Sequence, residues 1–263
     1  MTQESVAVGR QTAIRVDARG QVTHLDPGST AVLVVDMQND FGSPMGMFDR
    51  AGIDISAIQA TVEPTARVLA AARAAGMRVV YLKMGFRADL SDAGLPDSPN
   101  WRVHSRLGAG DPVDTPDGGT GRILVRDTWN TGILPQLAPE ARDLIVNKHR
   151  YSGFFETDLH DQLRGAGIRS LVVTGCTTSV CVESTVRDAM FRDYDCLVLD
   201  DCTAEPIGPA NHAASLLIMQ TMFCWVTDSA SFIAVLGRAH DVAVLGHEVG
   251  DRIGLVSGED IRA

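Results

Sequence analysis

The sequence is informative first through what it lacks. No stretch approaches the ~18 consecutive apolar residues of a membrane-spanning helix, and the N-terminal residues form no apolar signal-peptide core, so a cytoplasmic protein without membrane contacts is expected. Basic residues do not cluster, and 23 Lys and Arg against 33 Asp and Glu leave a net charge of −10, which argues against nucleic acid as a partner. The cysteines (Cys176, Cys181, Cys196, Cys202 and Cys224) are odd in number and show no CxxC spacing, so neither a disulfide framework nor a zinc site is expected. The histidines form no HxH or HxxxH pair, and no metal or other cofactor is anticipated. Internal repeats and low-complexity segments are also missing.

What remains is a chain of 263 residues, 45% hydrophobic and 21% charged, suited to one large globular domain. Short apolar runs at 31–36, 78–83, 143–147, 170–175, 196–200 and 224–227 read as strands. They are continuously apolar rather than alternating, which suits strands covered on both faces. Helical patterns lie between them at 56–75, closed by Gly76, at 157–165 behind Thr157 as N-cap, at 180–191 and at 209–222. The alternation predicts right-handed crossovers and an open, mostly parallel sheet of the α/β class. Segment 85–130 breaks the pattern with Gly, Pro, Asp and two Trp, and a loop of that length usually forms the wall or lid of a site. The expected plan is an N-terminal arm over 1–28, one α/β domain over 29–240 and a C-terminal tail over 241–263.

An open parallel sheet binds its ligand beyond the carboxyl ends of its strands. There the first strand ends in Asp36, the third runs into Lys148, and the fourth leads through a Thr- and Ser-rich turn to Cys181 at the start of a helical pattern. A helix N-terminus favours an anion and can lower a thiol pKa from ~8.5 to roughly 3.5–7.5. Each residue alone has an ordinary structural reading: a turn aspartate, a solvated strand end, a buried cysteine. Together they supply a base, a cation and a nucleophile, the set that acyl transfer requires.

Three motifs carry a family resemblance: D-x-Q-N-D-F at 36–41, K-x-R-Y-S-x-F at 148–154 and T-G-x-x-T-x-x-C-V-x-x-T-x-R-D-A at 174–189. In this order and spacing the chain resembles the isochorismatase-like cysteine hydrolases over about 31–237. The resemblance implies a single three-layer α/β/α domain on a six-stranded parallel sheet, with Cys181 as nucleophile, Asp36 as base and Lys148 as charge stabiliser. Members that cleave isochorismate lack the cysteine, so its presence favours the amide-hydrolysing branch. The resemblance further implies a cis peptide at Cys176–Thr177, aiming the Thr177 N–H with that of Cys181 into an oxyanion hole, and a homodimer or homotetramer. Nicotinamidases of the superfamily bind a metal through an Asp-x-His-x-His-like cluster after the second strand, where this chain carries no histidine between Lys83 and Asp89.

The substrate is expected to be a small amide, ureide or lactam. The block at 150–159 resembles ureidoacrylate amidohydrolases. The loop from Gly85 through Trp101 to Asn130 departs from them toward biuret hydrolases and streptothricin hydrolase, so it is expected to fix specificity. A non-catalytic binding protein of the same fold is the alternative from another class. Phe41, Arg87, Trp129 and Tyr151 are the candidate substrate-binding residues, with Arg87 suited to a carboxylate.

Overall fold

The apolar runs become one six-stranded sheet in the computed structural model, which describes residues 14–19 and 21–237. Its strands are β1 (Thr30–Val35), β2 (Arg78–Met84), β3 (Leu144–Lys148), β4 (Ser170–Cys176), β5 (Asp195–Ala204) and β6 (Trp225–Thr227). All neighbours pair in parallel, in the order β6-β5-β4-β1-β2-β3. Every residue of β1 and β4 is buried, as continuous Val- and Leu-rich runs require when helices cover both faces.

Five helices matter for the site: α1 (Val62–Ala74), α2 (Pro99–Arg106), α3 (Leu159–Gly165), α4 (Glu183–Met190) and α5 (Pro209–Met222). On one face Val68, Leu69 and Ala72 of α1 share a core with Val32, Val34, Tyr81 and Val172. On the other, Leu159 and Leu163 of α3, Val186 and Ala189 of α4, and Leu216 and Met219 of α5 pack with Leu33, Val35, Val80 and Val173. The three-layer α/β/α arrangement expected from the sequence follows. Among the described residues no helix is long and apolar enough to cross a membrane.

Several local expectations need correction. The helix expected over 56–75 is two helices, Ser56–Ala60 and α1. Thr61 separates them, its hydroxyl bonded to the Ile58 carbonyl at 2.8 Å, and Pro64 then sits in the first turn of α1, where its missing N–H costs nothing. Helix α3 starts at Leu159 behind Asp158 rather than at Thr157, whose hydroxyl is engaged with the Gly153 carbonyl. Segment 85–130 is not featureless, since it holds α2 and an antiparallel ribbon, Pro112–Asp114 with Thr120–Arg122. Within the segment expected as an N-terminal arm, Ile14–Ala18 and Gln21–Leu25 form a hairpin. Its Val16, Ala18 and Leu25 are buried in the core, and Thr227 donates to the Asp17 carbonyl at 3.1 Å. Residues 1–13 of that arm and the tail expected over 241–263 lie outside the described residues.

One glycine shapes the approach to the site. Gly175 has φ +110°, and a Cβ there would lie 2.0 Å from the Val35 carbonyl oxygen. The β4–β5 register shifts between Val173 and Gly175, so β4 bends just before the turn that carries Cys181.

Candidate active site

The strand order reverses direction between β1 and β4, and such a switch point opens a crevice at the carboxyl ends of the strands. Asp36 follows β1, Cys181 follows β4, and Lys148 is the last residue of β3, so the topology brings the three together. Asp36 has φ +53°, a left-handed conformation that aspartate tolerates better than most residues. Its N–H donates to the Leu82 carbonyl at 3.0 Å, which ties it to β2 as the chain leaves the sheet.

The Asp36 carboxylate meets Lys148 Nζ at 2.7 Å through Oδ2, with both side chains removed from solvent. Oδ1 accepts the Met84 N–H at 2.9 Å. Oδ2 accepts no well-aligned hydrogen bond, because the ammonium lies off the bonding direction while making the ion pair. Lys148 Nζ also donates to the Arg150 carbonyl at 3.1 Å. The Cys181 thiol is close enough to both charged side chains for each to shift its pKa.

Burial raises the Asp36 carboxyl above its ordinary range despite the Lys148 ammonium, which pulls it back down. Burial opposes the charge on Lys148, yet Asp36 and Cys181 together hold its pKa above the ordinary value. The Cys181 thiol is pushed upward by burial, with Lys148 opposing and Asp36 reinforcing the shift. The acidified thiol expected from a helix N-terminus is therefore not what the fold provides. Cys181 sits inside a π-helical turn, Thr178–Val182, ahead of α4, enclosed and beside a carboxylate.

The turn itself is held from several sides. The Thr185 hydroxyl donates to the Cys181 carbonyl at 2.7 Å and accepts the Gly153 N–H at 3.0 Å, linking α4 to the segment after Lys148. Glu205 accepts the Ser179 N–H at 3.0 Å and the Ser179 hydroxyl. A cis peptide joins Cys176 to Thr177, at the position the sequence suggested.

The rest of the first motif is scaffold. Gln38 brackets Met84, donating to its carbonyl at 2.9 Å and accepting its N–H at 2.7 Å. Buried Asp40 accepts the N–H groups of Met47 and Leu124 at 3.0 and 2.7 Å and the Asn130 amide at 2.6 Å. These bonds fasten both ends of the irregular segments to the sheet edge.

Cys181 opens into a cavity of about 430 Å³, which Thr177 also lines. Of the four candidate substrate-binding residues, Phe41 and Tyr151 line this cavity. Arg87 and Trp129 do not. Arg87 faces a separate polar cleft with Arg126, Arg150 and Asp92, because its own N–H is bonded to the Asp92 side chain and the chain turns there. Trp129 contributes its backbone carbonyl, which accepts the Asn39 amide at 2.7 Å. The residues that sequence reasoning missed are mostly apolar: Phe48, Ile53, Met84, Val103, Leu107 and Ile207, with buried His104 among them. They come from separate segments with no shared motif. Among the described residues no group of three or more His, Cys, Asp or Glu could hold a metal ion.

Comparison with known proteins places this geometry in context. An isochorismatase domain model matches residues 30–231. The chain is 42% identical over 228 residues to ureidoacrylate amidohydrolase RutB of Methylorubrum extorquens strain AM1, covering 87% of this chain and 91% of the relative. It is 41% identical to the RutB of Variovorax paradoxus strain S110, covering 82% and 84%. Among solved structures it resembles a cysteine hydrolase from Pseudomonas syringae pv. phaseolicola 1448A, with a TM-score of 0.69, 32% identity and coverage of 82% and 95%. It also resembles N-carbamoylsarcosine amidase from Thermoplasma acidophilum, with a TM-score of 0.58, 26% identity and coverage of 76% and 96%.

Proposed function

The chain belongs to the isochorismatase family, and on that premise we propose how it works as a cysteine-dependent amidohydrolase that cleaves a C–N bond of a small ureide through a thioester. Cys181 sulfur attacks the carbonyl carbon while Asp36 Oδ2 takes the thiol proton. The carbonyl π pair moves to oxygen, and the oxyanion is held by the N–H groups of Thr177 and Cys181. Collapse expels the amine, which leaves with the proton from Asp36. Water then adds to the thioester with Asp36 as base, and the sulfur leaves as the thiol. Lys148 keeps Asp36 ionised in the resting site and balances charge as it passes from carboxylate to sulfur and oxygen.

The observation that carries this reading is the buried Asp36–Lys148 pair, 2.7 Å apart, with Cys181 on the floor of the same cavity. A burial-raised thiol needs a base beside it, and the Asp36 carboxylate, held by Lys148, fills that role. A ureide is favoured over a lactam, since relatives are named ureidoacrylate amidohydrolase and N-carbamoylsarcosine amidase, both after ureido compounds. A cytoplasmic location and a homodimer or homotetramer complete the reading, the latter through α5, where Leu217, Ile218 and Met222 are exposed. The test is ammonia release across ureides, carbamoyl amino acids, biuret and cyclic lactams. Turnover of at least one ureide is expected, and inertness toward the whole panel would overturn the reading.

A further inference from the structure

The cavity above Cys181 differs from its floor in charge. Phe41, Met47, Phe48, Ile53, Leu107 and Ile207 give it an apolar wall. Its charged lining residues are Asp54 and Glu205, both acidic, and no Lys or Arg is among the described residues that line it. Asp54 is exposed at the rim and its carboxyl is held below the ordinary range by the Ser56 N–H, so it is ionised at neutral pH. Lys148 supplies no free positive charge, since its ammonium is buried against Asp36 and the Arg150 carbonyl.

His104 does not supply one either. Its Nδ1 lies 2.7 Å from the Asn100 carbonyl, which can only accept, so Nδ1 carries the hydrogen and Nε2 a lone pair. Burial lowers its pKa and the nearby cations Lys148 and Arg150 add to that, so the ring is neutral. Tyr151 and Thr177 add hydroxyl donors, which are no substitute for a counter-charge. Arg87, the residue that sequence suggested for a carboxylate, belongs to the other cleft. A carboxylate entering this cavity would lose its water against apolar walls and face two carboxylates, without a cation to offset either cost.

We propose that the cavity selects uncharged amides or ureides bearing an apolar substituent, and rejects substrates whose acyl or amine part carries a carboxylate. The inference rests on the amidohydrolase reading and narrows it, from ureides in general to neutral ones, and so sets this chain apart from its ureidoacrylate-named relatives, whose namesake bears a carboxylate. The walls, with Val103 and Leu107 from α2 and the turn after it, determine this preference.

Iodoacetamide and iodoacetate form a matched neutral and anionic pair for testing the cavity directly. Each labelling rate at Cys181, read by peptide mass spectrometry, is divided by the rate with 2-mercaptoethanol. The neutral reagent is expected to be favoured about 100-fold after that correction, the ratio of a carboxylate left unpaired in an apolar site. Val103→Arg, at a rim position 44% exposed and so tolerant of the change, is expected to shrink the preference to about tenfold or less. A corrected ratio near one, no labelling of Cys181 by either reagent, or an unchanged ratio in a folded Val103→Arg variant would overturn the proposal. Turnover of 3-methylbutylurea against its isostere 3-ureidopropanoate separates the two levels of the argument. If the anion is hydrolysed as fast as the neutral compound through Cys181, this inference falls and the amidohydrolase reading stands. If the labelling preference holds and neither compound nor any other ureide is hydrolysed, the amidohydrolase reading falls and takes the substrate proposal with it.

Discussion

The floor of the cavity and its walls are built on opposite principles. The floor consists of strand ends: Asp36, Lys148 and Cys181 hang from β1, β3 and β4 and interact through charge and hydrogen bonds while almost wholly buried. The walls consist of short helices and turns, around 41–54, 103–107 and 205–207, and they enclose the space with apolar side chains. A parallel sheet fixes its strand ends to within a few tenths of an ångström through its ladders, so chemistry that needs close geometry belongs there. Walls need only shape and polarity, and they can change without disturbing the floor. The comparison assigns reaction type to the floor and substrate choice to the walls.

Substitutions on the floor should have the largest effects. Asp36→Asn and Lys148→Met are each expected to lower kcat/KM by at least about 10³-fold, because one removes the proton acceptor and the other its counter-charge. Each should also cost about 3–5 kcal/mol of stability by leaving a buried charge unpaired, measured by denaturant unfolding. Asp36→Leu combined with Lys148→Met should recover most of that stability while remaining inactive. A single variant with ordinary turnover would break the division between floor and walls.

The pH profile of kcat/KM sharpens the same point. Asp36 must be ionised to accept the thiol proton, and its pKa is raised. Activity should therefore fall on acidification through an apparent pKa above the ordinary carboxylate value of about 3.9, tenfold per unit below it. Cys181 and Lys148 are both shifted upward, so no alkaline limb is expected near neutrality. A profile that rises through a thiol-like pKa near 8.5 would instead indicate a freely titrating nucleophile.

Between floor and walls stands Asp40, whose carboxylate gathers three donors from segments 47, 124 and 130. Asp40→Ala is expected to cost about 3 kcal/mol, roughly 1 kcal/mol for each buried donor left unmet. The smallest effect is expected from Arg87→Ala, which should leave kcat/KM within about twofold because its cleft is separate from the thiol.

The sequence made the floor legible and left the walls obscure, and the reasons are physical. Continuous apolar runs identify buried parallel strands, and their polar ends then name the site. Lys148 could have been singled out more sharply still, since the chain contains only one other lysine, Lys83. The wall residues Phe48, Ile53, Leu107 and Ile207 follow no common period, because they meet only after the chain has folded. Arg87 and Trp129 lie outside the cavity for a related reason: composition marks a loop as functional but does not say which way its side chains turn. The direction at Arg87 is set by its N–H bond to Asp92 and by Leu90 at φ +59°. The break at Thr61 and the π-helical turn at 178–182 escaped for want of length, being too short for periodicity to register.

The central claim is that Cys181 carries the acyl group. Enzyme acid-quenched during turnover of a ureide should show, by intact mass and peptide mapping, a single acyl adduct on the peptide containing Cys181, and none in Cys181→Ser. An adduct on another residue, or hydrolysis by Cys181→Ser within about tenfold of the unsubstituted enzyme, would contradict the account.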